Sequence, residues 1–115
     1  MKKKDVYEAE LAKLNEIFED VEPTKAKLVE GLVEDAAFLK AENHMLRQSI
    51  AITGMVKIHP QNQDLQKPVE TAKQYLKNVN AYSVVIKTLN GILSKNGLEG
   101  DDEFDEFIRN ENAGT

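Results

Sequence analysis

The sequence predicts an all-α fold, and three observations carry that expectation. Apolar residues recur every three or four positions through three long segments. The three prolines and six glycines fall mainly between those segments. Strand-like alternation is confined to a few residues after Gly54. At 115 residues the chain holds one domain at most, with a tail. The expected architecture is a long antiparallel helical hairpin, a shorter N-terminal helix and a short C-terminal acidic helix, with the chain oligomerising. Residues 1–98 would form the helical core and residues 99–115 an acidic tail that docks a partner.

The first helix is expected over residues 3–21, where Tyr7, Leu11, Leu14, Phe18 and Val21 are spaced four, three, four and three apart. Glu22-Pro23-Thr24 interrupts it, because proline disfavours helical geometry in the residue before it and can open the next helix. The second helix is expected over residues 24–52. Leu28, Leu32, Ala36, Leu39, Asn43, Leu46 and Ile50 make its stripe, widened by Val29, Val33 and Met45. A helix of that length spans about 42 Å and needs a partner of similar length. Asn43 either lies at the stripe's edge near water or pairs with a polar group across a helix interface and fixes register.

Thr53-Gly54 should end that helix. Residues 55–67 read as extended, with His59-Pro60 set against helix and Val56 and Ile58 alternating around Lys57, so a short strand or an extended crossover both fit. The third helix is expected over residues 68–95. A helical wheel gathers Lys73, Lys77, Asn80, Lys87, Ser94 and Lys95 on one side. Ala72, Tyr75, Leu76, Val79, Tyr82, Val85, Ile86, Leu89, Ile92 and Leu93 cover most of the rest. That apolar arc is wider than one antiparallel neighbour requires, which points to further copies of the chain. Asn96-Gly97 offers a stop, and a short fourth helix would begin near Asp101, capped by Asp101 and Asp102.

Charge is distributed unevenly along this plan. Residues 1–50 carry 8 basic and 11 acidic side chains, residues 51–98 carry 6 and 2, and residues 99–115 carry 1 and 7. The three parts are thus net −3, +4 and −6, a pattern that suggests two different partners rather than an active site. No run approaches the roughly 20 apolar residues of a membrane span, and the N-terminus has no apolar h-region, so an intracellular protein without a membrane partner is expected. The chain lacks cysteine, which removes disulfides, thiolate zinc sites and thiol nucleophiles.

Catalytic signatures are missing as well. There is no phosphate-binding GxxxxGK[ST] loop, no dinucleotide fingerprint among the glycines and no calcium-loop order in the acidic tail. His44 and His59 lie on different segments without ligand spacing. No enzyme activity, metal or cofactor is expected.

The lysines of the third helix are the candidate phosphate-binding group. Between Lys67 and Lys95 only Glu70 is negative, so Lys73, Lys77, Lys87 and Lys95 form a stripe with few compensating acids and leave a positive potential that can act on phosphates. An ordinary solvated face is the plainer alternative. Lys57 and Lys67 on the connector are second candidates for the same contact. In the tail, Phe104, Phe107 and Ile108 would share one side of a short helix, and an apolar side suits docking into a partner's groove better than simple solvation.

The order of parts is a long helix to Gly54, an extended connector through His59-Pro60, a Tyr82-Ser83-containing helix to about Leu98, and an acidic tail with Phe104 and Phe107. Over roughly residues 25–110 this resembles the short phage terminase small subunits, the family commonly encoded beside an HNH endonuclease. The resemblance implies a non-catalytic adaptor of a tailed phage or prophage. Such an adaptor assembles as a homo-oligomeric ring, engages double-stranded viral DNA and delivers it to the terminase large subunit, which holds the ATPase and nuclease. It further implies Lys73, Lys77, Lys87 and Lys95 as DNA-facing residues, and Phe104, Phe107 and Ile108 as contacts to the large subunit. Many such subunits begin with a basic helix-turn-helix, whereas the first 50 residues here are net −3, so sequence-specific recognition of a packaging site is not implied. The competing expectation is a structural coiled-coil interaction module that oligomerises without binding DNA.

Overall fold

The computed structural model describes the backbone of residues 1–113 and the side chains of residues 1–94. Three helices and one small sheet follow in the order α1 (Lys3–Ile17), α2 (Pro23–Thr53), β1 (Val56–His59), β2 (Asn62–Pro68) and α3 (Glu70–Ala113). The chain is mostly helical, as its periodicity predicts. It is not all-α, because the connector is a β-hairpin.

α1 ends earlier than its apolar stripe. Phe18 takes the C-cap position, and the chain turns through Val21, whose N–H donates to Phe18 O at 3.2 Å. Leu14, Phe18 and Val21 are buried and Leu11 is packed against them. The centre of the buried face runs through Val6, Glu10 and Leu14, at i, i+4 and i+8, so the helix is rotated from the Tyr7–Leu11 line that apolar residues alone suggest. α2 opens with Pro23 in its first turn, where the missing N–H costs nothing. It closes at Gly54, whose φ of 76° lies in the region that a Cβ disfavours and whose N–H returns to Ile50 O at 2.7 Å.

Both neighbours of α2 run antiparallel to it. Lys3 pairs with Glu42 at one end of α1, while Leu14 and Phe18 meet Val29 and Val33 at the other. Lys40 lies beside Tyr82 and Met55 beside Val69, so residue numbers on α3 fall as those on α2 rise. The core sits where all three helices meet: Leu14, Phe18, Val21, Val29, Val33, Ala36 and Leu89, with Val85, Ile86, Ile92 and Leu93 packed around it. Ala36 and Ala37 are fully buried, and their small side chains let the backbones approach.

Serving two neighbours fixes which α2 residues are covered, and this corrects the expected stripe. Leu28 is 78% exposed and Met45 is exposed, while Ala37 and Ala41 are buried instead. Asn43 is 7% exposed, so it does not lie at a wet edge. Its Oδ1 makes no hydrogen bond, so it does not form the register-fixing pair either.

The hairpin pairs Val56 with Pro68, Lys57 with Lys67 and Ile58 with Gln66 in antiparallel register. His59 then pairs with Asn62, so the register shifts and residues 63–65 bulge from the second strand. Local polar groups hold the turn: Gln61 N–H donates to His59 Nδ1 at 3.1 Å, and Asp64 N–H to Asn62 Oδ1 at 3.1 Å. The base is closed by Val69 N–H donating to Met55 O at 2.9 Å. Every residue of both strands is exposed.

α3 continues through Asn96-Gly97 and past Asp101 to Ala113, so the expected stop and separate capped fourth helix are not found. Asparagine and glycine weaken a helix by up to about 1 kcal/mol each relative to alanine, but only proline forbids continuation. The last proline is Pro68.

Candidate nucleic-acid interface

α3 carries the lysines predicted for it on an open face. Lys73, Lys77 and Lys87 are all exposed, interleaved with exposed Asn80, Ser83, Val84 and Thr88. From Lys73 to Lys87 the helix rises about 21 Å. Lys73 lies 3.3 Å from Glu70, a pair with both partners well exposed and therefore of small energetic weight. Among the described residues Lys77 and Lys87 have no ion-pair partner, because no acid occurs from Thr71 to Leu98. Lys95, Phe104, Phe107 and Ile108 have side chains outside the described residues.

The second pair of candidate lysines is brought together by the hairpin. Lys57 and Lys67 occupy directly opposed positions on paired strands, so they share a face with Cβ atoms about 5 Å apart. They line an open concavity of about 380 Å³ together with Ile58, His59, Pro60, Leu65 and Gln66. Because His59 Nδ1 accepts from Gln61 N–H, its neutral ring keeps the proton on Nε2 and offers a donor there.

Two features escape a reading of apolar spacing. The first is a polar node joining all three helices. The Tyr82 hydroxyl donates to Glu10 Oε1 at 2.9 Å, Lys13 Nζ lies 3.2 Å from the same oxygen, and Lys40 Nζ sits 5.5 Å from the centre of the Tyr82 ring. Glu10 is only 6% exposed. Burial, then the hydrogen bond to Glu10 and its negative charge, push the Tyr82 phenol up to about 12. The available signal was Glu10's position midway between Val6 and Leu14, four residues from each.

The second is a row of exposed apolar side chains on α2. Phe38, Met45 and Ile52 repeat at intervals of seven and are all exposed, Ile52 at 88%. An interval of seven keeps the three on one side of α2, where Phe38 borders Lys3, Lys4 and Tyr7 of α1. Leu76 and Val84 on α3 and Val56, Ile58 and Leu65 on the hairpin are exposed too.

Among the described residues no three His, Asp or Glu side chains gather to hold a metal ion, and no helix is long and apolar enough to cross a membrane. The arrangement offers positive charge and apolar contact surface. Comparison with protein-family models, with curated proteins and with solved structures finds no match to this chain.

Proposed function

We propose that this protein is a non-catalytic DNA-packaging adaptor, the small terminase subunit of a tailed phage or prophage, acting in the cytoplasm of the bacterial host. In this reading several copies form a ring, their lysines engage double-stranded viral DNA, and the acidic C-terminal part with Phe104, Phe107 and Ile108 recruits or regulates the large terminase subunit. The observation that carries it is the exposed face of α3, where Lys77 and Lys87 have no acidic neighbour on the helix and Lys73 has Glu70 alone. Uncompensated lysines on a rigid helix attract phosphates through counterion release, with no need for base readout. The seven-residue apolar repeat on α2 supports self-association.

The competing reading, an oligomeric interaction module indifferent to DNA, explains the apolar repeat but gives the lysine face no role. Binding of fluorescent duplex DNA across a salt series separates the two. The adaptor binds weakly, without sequence preference and with steep salt dependence. Lys73→Glu with Lys77→Glu weakens that binding while leaving the multimer intact by light scattering. DNA binding unchanged in this variant refutes the assignment of the α3 face.

A further inference from the structure

Lys57 and Lys67 stand opposite each other on a hairpin that gains nothing from their charge. Like charges at directly opposed positions of an antiparallel pair destabilise it. A two-stranded hairpin with every residue exposed is already marginal, lacking a third strand or a covering helix. Among the described residues neither lysine has an ion-pair partner. Sequence and fold therefore disagree locally, which is where a function that compensates the cost is expected.

We infer that the β1–β2 hairpin is a phosphate clamp for the backbone of duplex DNA, separate from the α3 face. Lys57 and Lys67 supply the charge, and His59 supplies an Nε2–H donor from the same concavity. The inference rests on the DNA-engaging reading above and assigns it a second contact. An anion between the two ammonium groups turns their repulsion into two attractions, and lysine binds phosphate as a point charge without needing a fixed approach angle. Shape selects duplex DNA among anionic partners. A two-stranded ribbon exposed along its whole length fits the major groove of B-DNA, which is about 12 Å wide. Lysines on the ribbon then reach the phosphates that border it. Ile58, Pro60 and Leu65 line the same open concavity and add apolar contact surface beside the charges.

The test uses the full chain and a fluorescent duplex of arbitrary sequence, with affinity measured from about 50 to 200 mM salt. Each phosphate neutralised contributes about 0.9 to the slope of log affinity against log salt, so Lys57→Gln with Lys67→Gln should lower the slope by about 0.9 for the phosphate held between the pair in each engaged chain. Lys57→Arg with Lys67→Arg should keep the slope. Lys57→Glu, which makes the opposed pair attractive, should raise the thermal midpoint while weakening DNA binding. An ordinary solvated pair of lysines would not couple those two effects.

If wild-type protein binds DNA and the glutamine pair binds with the same slope, the clamp is overturned and the adaptor reading stands. If wild-type protein does not bind at the lowest salt, both fail. If the glutamine pair binds DNA more tightly, and deletion of residues 99–115 removes that gain, the lysines hold the acidic tail and the clamp is overturned.

Discussion

Tyr82→Phe isolates one hydrogen bond at the junction of the three helices. The ring remains to fill its space and to face Lys40, and only the hydroxyl that donates to Glu10 is lost. A hydrogen bond to a charged group is worth about 1.5–3 kcal/mol, and removing the donor leaves a buried carboxylate with one partner fewer. Two features pull the cost toward the low end: Lys13 still lies 3.2 Å from the same oxygen, and Tyr82 is only half-buried, so water can reach the gap. The expected loss is therefore about 1–2 kcal/mol, or a fall in thermal midpoint of about 5–10 °C for a domain near this size. Urea titration at fixed protein concentration measures it, with concentration held constant because self-association adds to apparent stability.

The pH dependence carries an independent sign. The folded phenol titrates at about 12 against an ordinary 10, so between those values the unfolded chain has released a proton that the folded chain keeps. Stability then falls as pH rises through that window, and the Phe variant lacks this contribution. A loss below about 0.5 kcal/mol, with an alkaline slope equal to wild type, would mean that the Glu10–Tyr82 bond does not hold the helices together.

Two further outcomes concern the α2 surface and the C-terminal part of the chain. Phe38→Glu with Met45→Glu places charge in the seven-residue repeat of α2, where truncation would cost a monomer little because both side chains are exposed; it should convert multimers to monomers by native mass spectrometry while circular dichroism stays helical. Deleting residues 99–115 shortens α3 but should leave the rest of the fold and self-association intact while abolishing capture of the proposed large terminase subunit, and collapse of the fold instead would assign Phe104 and Phe107 to the core.

Much of the helical plan was legible because its signals are local. Pro23 opens α2 and Gly54 closes it, as residue chemistry dictates. The lysines of α3 are exposed because its apolar arc points the other way. Which apolar residues are buried was less legible, since α2 must satisfy two neighbours at once. A single-stripe reading centred on Leu28 and Leu32 therefore missed Ala37 and Ala41. Glu10 was passed over because a charged residue at the middle of a buried face looks like a gap in the pattern until its partners Tyr82 and Lys13 are seen. The hairpin was half legible. Val56 and Ile58 alternate, but the second strand, Asn-Gln-Asp-Leu-Gln-Lys-Pro, holds one large apolar residue and gives no periodic signal. The Asn96-Gly97 stop failed because those residues permit a helix end without requiring one.

The apolar repeat and the lysines make more sense together than apart. A few lysines per chain, without arginine or base-directed contacts, give only weak and salt-sensitive attraction to DNA. Linking several such surfaces converts later contacts into intramolecular ones and raises the total affinity by orders of magnitude without any new contact. The surfaces lie on separate elements: Phe38, Met45 and Ile52 on α2, Lys73, Lys77 and Lys87 on α3, and Lys57 and Lys67 on the hairpin. Self-association along α2 would therefore leave the lysines of the other two elements free to act on DNA. Weak individual contacts would also suit the proposed adaptor, which would have to release DNA to a motor. An assembly whose grip is the sum of many small electrostatic terms can hold a duplex and still let it slide, because no single base-specific contact has to break.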